Sequence, residues 1–180
     1  MGNGRGPAAE LTMQDAIDIL DSGQLMAIST VRPDGWPQTT IVGYANDGLI
    51  IYFMIFRSSQ KYANIQREER VSVAIADPPR DIREAKAVFA GCRATEVTEP
   101  GEQERAWRLL EQRHPSLAGN WPPDLSAAAI MRATCQHLSI LDYTRGVGHA
   151  DALHFPDPPA PGTEASQTAA TPSAEAPETA

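Results

Sequence analysis

The sequence predicts a mainly β protein, a β-barrel with peripheral helices. Residues 25–31 and 38–44 predict two strands that form a hairpin across Pro33-Asp34-Gly35, and Pro37 marks the start of the second strand, where a missing N–H group is tolerated. Residues 49–55 are an unbroken run of apolar, mostly β-branched and aromatic side chains, which indicates a strand buried on both faces. Strand periodicity returns at residues 85–97, where Gly91 suits the bend or bulge that a small barrel requires.

The composition indicates one globular domain without a nucleic-acid partner. The chain has 180 residues, of which 42% are apolar, and this is enough for one substantial core. Its formal net charge of -8 argues against nucleic acid, because proteins that bind nucleic acid present a basic surface. Residues 151–180 hold five acidic side chains and no lysine or arginine, so residues 1–150 carry a net charge of only -3.

The chain divides into three parts by composition. Residues 1–10 are rich in glycine and predict a flexible leader, and residues 11–153 hold the domain. Residues 154–180 are mostly Pro, Ala, Ser, Thr and Glu, and predict a disordered tail because they bury too little apolar surface to offset the entropy of ordering. No apolar run reaches membrane-spanning length and the start has no signal-peptide core, so we expect a cytoplasmic protein without a membrane partner.

The first helix is predicted between Thr12 and Gly23. Thr12 is followed three residues later by Asp15, which predicts a capping box, and Gly23 suits the helix end. One face of this helix should pack against the barrel. The side chains expected on that face are Met13, Ala16, Ile17 and Leu20.

The central motif of the chain is the strand of residues 49–55 followed by a polar loop and a short helix. The loop is Arg57-Ser58-Ser59-Gln60-Lys61, and Ser59 is a candidate N-cap for a helix over residues 60–66. Backbone N–H groups at a helix start, hydroxyl groups and two cations are all favourable for a bound phosphate. The alternative is that Arg57 and Lys61 are solvated surface residues.

The rest of the chain predicts strands over residues 70–76 and 135–144 and a helix over residues 101–113, which Pro100 opens. The buried face of that helix should hold Ala106, Trp107 and Leu110. Within residues 116–133, the Ala-rich segment AAAIMRA predicts a short helix.

Neither the cysteines nor the histidines predict a metal site. Cys92 and Cys135 have no ligand spacing and should pack as small apolar residues on strands. No pair of the four histidines has ligand spacing either, and we expect His114, His137 and His154 to be structural or solvated.

The order of these elements resembles that of the flavin-binding split-barrel family that contains pyridoxamine 5'-phosphate oxidase. The resemblance extends over about residues 11–153, and in this family the strand–loop–helix holds the phosphate of FMN. Ser59 and Lys61 match that motif directly, and Arg57 and Ser58 match it approximately. The resemblance implies a six-stranded antiparallel split β-barrel and a homodimer with two FMN sites between its subunits.

The resemblance also implies an FMN-dependent oxidoreductase that acts on a small molecule. No catalytic side chain is assigned, because the flavin accepts the hydride and the protein supplies position and electrostatics. In relatives, the second hairpin strand lines the ring and ribityl chain, although threonines are also ordinary strand residues. The implied cofactor-binding residues are Thr39, Thr40, Ile41, Val42, Met54, Arg57, Ser58, Ser59 and Lys61.

Three alternatives to an FMN enzyme stay open. A deazaflavin uses a similar phosphate cradle on this fold. The segment Arg145-Gly146-Val147-Gly148-His149-Ala150-Asp151 resembles a Gly-x-Gly closing segment found in several split-barrel branches, some of them haem-linked, with His149 as the candidate haem residue. A non-catalytic flavin-binding protein is the third. A true pyridoxamine phosphate oxidase is not expected, because the segment TRGVGHADAL lacks the pattern by which such enzymes grip the substrate phosphate.

Overall fold

The computed structural model describes residues 11–77, 79, 81–119, 124–146, 148 and 150–154. In chain order, the helices and strands in these ranges are α1 (Met13–Ser22), β1 (Leu25–Val31), β2 (Pro37–Asp47), β3 (Ile50–Phe56), α2 (Gln60–Arg67), β4 (Arg70–Asp77), β5 (Lys86–Glu96), α3 (Pro100–Arg113), β6 (Ala128–Asp142) and β7 (Ala150–His154). Short 3-10 turns lie at Ile82–Glu84, Pro115–Leu117 and Tyr143–Arg145.

Six strands form a closed antiparallel barrel, which confirms the predicted fold class. The strand order is β3-β2-β1-β4-β5-β6, and the pairing of β3 with β6 closes the ring. A seventh strand, β7, pairs with the second half of β6 and lies outside the ring. The sequence does not predict β7, because this strand has only five residues and follows a glycine-rich segment that shows no strand periodicity.

The barrel has an apolar interior and a second apolar layer on its outside. The interior is filled by inward-facing strand residues, with Tyr44, Phe53 and Met131 among the largest that are fully buried. The outer layer lies where α3 covers β2, β3 and β6. Its buried residues include Ala106, Trp107 and Leu110, which are the three that the sequence predicted for the face of α3.

Several local predictions are confirmed. Thr12 and Asp15 form the capping box of α1, and Ser59 caps α2. The register between β5 and β6 shifts between Gly91 and Cys92, which is the bulge expected there. Cys92 and Cys135 are both free and buried on paired strands, and their sulfur atoms are 3.4 Å apart.

The predicted helix AAAIMRA is wrong, because this segment forms the first half of β6. Residues 128–134 pair with the whole of β3, from Ala128 opposite Phe56 to Thr134 opposite Ile50. Ala129, Met131 and Ala133 face the barrel interior, so the side chains follow a period of two. Alanine and methionine favour helices, but the long-range pairing with β3 outweighs that local preference. The predicted start of the last strand at residue 135 is therefore also wrong.

The buried face of α1 differs in part from the prediction. The buried residues are Ala16, Ile19 and Leu20, which follow the i, i+3, i+4 spacing of one face. Met13 is 46% exposed in the first turn, and Ile17 lies at the half-buried edge. The prediction of an amphipathic helix against the barrel is confirmed, but the face is rotated from the one expected.

Some predictions fall outside the described residues. They are the flexible leader, nearly all of the disordered tail, and the role of His149. Among the helices that the structure describes, none is long and apolar enough to cross a membrane.

Candidate functional site

The candidate site lies where β2 and β3 separate. The two strands pair only from Tyr44 to Asp47 on β2 and from Ile50 to Phe53 on β3. Beyond that point, residues 37–43 pair with β1 alone and residues 54–56 pair with β6 alone. The separation leaves main-chain groups of both strands outside the β2–β3 ladder, beside the loop that leads into α2.

Ser59 organises the start of α2 through its side chain. Its hydroxyl group donates a hydrogen bond of 2.6 Å to the carbonyl oxygen of Phe56 and accepts one of 3.3 Å from the N–H group of Tyr62. Ser58 is exposed and contributes a further hydroxyl group in the loop. The result is an ordered helix N-terminus whose first N–H groups point away from the helix body, as anion sites require.

Lys61, the second residue of α2, is a cation at this helix start. In the described part of the chain, no hydrogen bond or ion pair involves its ammonium group, and the residue is half-buried. Burial lowers the pKa of Lys61 below its ordinary value, because a cation is less stable where solvent is partly excluded. A bound anion would reverse that effect, so Lys61 is suited to contact a phosphate.

Arg57 is held by protein groups. Its guanidinium group forms a two-point ion pair with Glu96 at 2.5 and 3.1 Å, and it donates to the hydroxyl group of Tyr62 at 2.7 Å and the carbonyl oxygen of Leu125 at 2.8 Å. The hydrogen bond with Glu96 raises the pKa of Arg57, and the same contact lowers the pKa of Glu96. Arg57 therefore ties the loop to β5, and a contact with phosphate stays a prediction.

The four predicted residues on β2 do not all face the same side. Thr39 and Ile41 point outward; Thr39 pairs with the hydroxyl group of Ser29 at 2.8 Å, and Ile41 is 62% exposed. Thr40 and Val42 lie on the opposite side of the strand, and Val42 belongs to the barrel core. The hydroxyl oxygen of Thr40 is buried without a hydrogen-bond partner among the described residues. A ligand at the outer face would contact Thr39 and Ile41 through their side chains.

Asn64 holds α2 on the barrel and was not singled out as a site residue. Its side chain is fully buried and donates to Thr30 at 2.9 Å and to Gln38 at 3.1 Å. These contacts connect the helix that carries Lys61 to the hairpin of β1 and β2. The sequence contained no signal for this role, because it depends on a contact between residues far apart in the chain.

Met54 and His114 line one groove on the outer face of the sheet. The sequence predicts Met54 as a contact of the flavin ring and His114 as a structural or solvated residue. The imidazole lies over Gly43 of β2, and its Nε2 atom is 3.0 Å from the carbonyl oxygen of Tyr44. No sequence signal could have placed it there, since α3 must first fold across the sheet.

The six-stranded ring, the separated β2 and β3 strands and the capped polar loop define a split-barrel protein. Residues 13–141 match the family model described as pyridoxamine 5'-phosphate oxidase, and the chain belongs to this family. Among curated protein sequences, none is significantly similar to the chain.

Solved structures share the fold at low sequence identity. A haem-binding protein from Mycobacterium smegmatis is 16% identical, with a TM-score of 0.68, over 82% of this chain and 60% of its own. A conserved hypothetical protein from Mycobacterium tuberculosis is 23% identical, with a TM-score of 0.65, over 81% and 95% of the two chains. An FAD-binding protein from Mesorhizobium loti is 16% identical, with a TM-score of 0.58, over 72% and 92%.

Proposed function

We propose that the protein is an FMN-dependent oxidoreductase that acts on a small molecule. The observation that carries this proposal is Lys61, a partly buried cation that has no partner among the described residues. It lies in the first turn of an N-capped helix, beside the opening between β2 and β3. Family membership supports a flavin as the ligand. The residues proposed to hold the phosphate are Ser58, Ser59 and Lys61, with Arg57 positioning their loop.

The residues near the opening fit the other parts of FMN. Thr39 and Ile41 present a hydroxyl group and apolar surface on the outer face of β2, and Met54 presents an apolar side chain on β3. When bound, the flavin supplies hydride-transfer chemistry at its ring. The role of these residues is to orient the ring and exclude water from one of its faces.

We infer a substrate other than pyridoxamine phosphate. Arg145, near the end of the described chain, lies 3.4 Å from Asp142 and 3.8 Å from Asp15. Because these carboxylates neutralise its charge, this arginine is poorly placed to hold a second phosphate group. A distinct substrate is consistent with a family in which one fold serves many chemistries.

We propose that the protein is cytoplasmic and that it forms a homodimer with the cofactor bound between the two subunits. The support is an uncharged row across the outer face of β2, β1, β4 and β5, in which Ile41, Ala27, Ala74 and Phe89 are register neighbours. Ile41 is 62% exposed and Phe89 is 44% exposed. An apolar surface of this kind favours burial against a second copy, and the row begins at a residue proposed to contact the ring.

Removing the Lys61 charge tests the phosphate site. We expect Lys61→Ala to weaken FMN about ten- to a hundredfold, because a charge-assisted hydrogen bond contributes about 1.5–3 kcal/mol. Lys61→Arg should have a smaller effect. Riboflavin lacks the phosphate group, so its weak binding should change little. Flavin fluorescence quenching measures all of these affinities.

The matched control is Lys86→Ala, which removes the same charge at the far end of β5, where Lys86 is 3.5 Å from Asp142. It should leave the FMN affinity unchanged. Equal FMN binding by wild type and Lys61→Ala, with both folded by circular dichroism, would contradict the proposal.

Haem is the second candidate cofactor, and a deazaflavin is the third. Haem is supported by the haem-binding protein of the same fold and by His149, and it predicts a Soret band on addition of hemin that His149→Ala removes. The absorption spectrum of the purified protein, together with the mass of the released cofactor, distinguishes the three. A bound flavin that no electron donor reduces would instead indicate a non-catalytic flavin-binding protein.

A further inference from the structure

A groove on the outer face of the sheet lies beside the candidate cofactor site. It has a volume of about 250 Å³, which suits a single ring better than a drug-sized molecule. Most of its wall is apolar, and its polar groups come from one imidazole and one hydroxyl group. The lining residues are Gly43, Met54, Leu110, His114, Ser116 and Leu117.

The contact with Tyr44 determines which nitrogen of His114 carries the proton. A carbonyl oxygen only accepts hydrogen bonds, so Nε2, at 3.0 Å from the oxygen of Tyr44, is the donor. In a neutral imidazole the other nitrogen, Nδ1, is then an acceptor. Among the described residues, no group donates a hydrogen bond to Nδ1. Together with the hydroxyl group of Ser116, Nδ1 of His114 is one of two side-chain hydrogen-bond acceptors on a groove whose walls are largely apolar.

Gly43 is needed for this arrangement. A Cβ atom at position 43 would lie 3.1 Å from Nε2 and 3.2 Å from Cε1 of His114, closer than most side chains tolerate. With a glycine at this position, the imidazole packs directly on the strand and keeps its contact with Tyr44. The position of His114 thus depends on β2 as well as on α3.

We propose that this groove binds a small apolar ring that carries one O–H or N–H donor, such as a phenol or an aromatic amine. The ring lies against Met54, Leu110 and Leu117, and its donor group bonds to Nδ1 of His114. The site deepens the proposed function, because it supplies the class of substrate for the adjacent flavin. Binding of the ring itself does not require the flavin.

The test compares phenol with anisole, which has the same ring but no donor. The protein carries ¹³C-methyl methionine, and the Met54 methyl resonance, assigned with Met54→Leu, reports occupancy of the groove. Phenol and anisole should both shift this resonance in the protein without cofactor. Phenol should also shift it in protein loaded with FMN.

Variants at His114 identify the acceptor. In His114→Leu, the ratio of the dissociation constant of phenol to that of anisole should rise roughly three- to tenfold. This is the effect expected from the loss of one neutral hydrogen bond to phenol. His114→Gln should retain most of the preference, since its amide can donate to Tyr44 and still accept from the ligand. His137→Phe, on the exposed outer face of β6, is the control and should leave the ratio unchanged.

Three results would overturn the inference. The first is a Met54 resonance that phenol does not shift in folded protein. The second is a ratio that is equal in wild type and His114→Leu. The third is loss of phenol binding when FMN is bound, which would assign the groove to the cofactor ring. If FMN does not bind at all, the proposed function fails, whereas phenol binding by the protein without cofactor still tests the groove.

Discussion

Arg57 and Lys61 are two cations four residues apart, and they differ in whether protein groups neutralise their charge. Arg57 is surrounded by Glu96, Tyr62 and a main-chain carbonyl group, whereas Lys61 has no partner in the described part of the chain. The first therefore positions the loop and the second is free to contact a ligand. The sequence predicts both as phosphate ligands, and the ion pair that distinguishes their surroundings depends on Glu96, which is far away in the chain.

The ion pair of Arg57 with Glu96 should make stability depend on pH. The pKa of Glu96 is lowered from its ordinary value of 4.5 in the folded protein, so its contribution is complete above that value and is lost as the pH falls through the folded pKa. We expect Glu96→Gln to be less stable than wild type at pH 7, by about 1 kcal/mol or less for a partly exposed pair. The difference should shrink below about pH 4.5.

Urea unfolding of the two proteins at pH 7 and at pH 3 measures this. The control is Glu84→Gln, at an exposed carboxylate on a 3-10 turn. A stability difference for Glu96→Gln that is the same at both pH values would contradict a lowered pKa.

At the scale of elements, the sequence predicted the helix caps and the bulge, because these features depend on residues that are adjacent in the chain. The Thr12 capping box, the Ser59 cap and the Gly91 bulge each depend on a few adjacent residues, and all are present. The β6 strand could not be predicted in the same way. Its first half is helix-favouring by composition and becomes a strand through pairing with β3, more than seventy residues earlier in the chain.

The capping box of α1 should contribute measurably to stability. Thr12→Ala removes a hydroxyl group that accepts from the N–H group of Asp15, and we expect a loss of about 1 kcal/mol. For a domain of this size the melting temperature should fall by roughly 2–4 °C. Thr12→Ser keeps the hydroxyl group and should stay close to wild type. Thermal unfolding by circular dichroism measures the three, and equal melting temperatures would contradict a stabilising cap.

At the scale of the whole molecule, the candidate site depends on several elements at once. The strand opening, the α2 start and the α3 end contribute to it, and Asn64 and His114 connect these elements across the sheet. The sequence predicted the polar loop of the site, because its residues are contiguous. It did not predict the groove or the orientation of β2, because both arise from packing between distant segments.

The uncharged outer row predicts that assembly and cofactor binding are linked. Wild type should sediment at about twice the 19.4 kDa of one chain, and FMN should stabilise that dimer by mass action. Phe89→Asp places a charge in the row at a residue that is not proposed to contact FMN, and it should yield monomers that bind FMN more weakly. The control is Ile82→Asp, at a residue that is 69% exposed on a 3-10 turn away from the row. A monomer that binds FMN as tightly as wild type would contradict a site between subunits.

The closure of the ring by β3 and β6 has a consequence for folding kinetics. Contacts between segments so distant in the chain form slowly, because the entropy of closing the intervening loop must be overcome before the pairing stabilises anything. Residues 54–56 of β3 find their ladder partners only on β6, so this end of the strand becomes ordered at that late step. Recovery of ligand binding during refolding should therefore follow the slowest phase, later than the appearance of the β1–β2 hairpin.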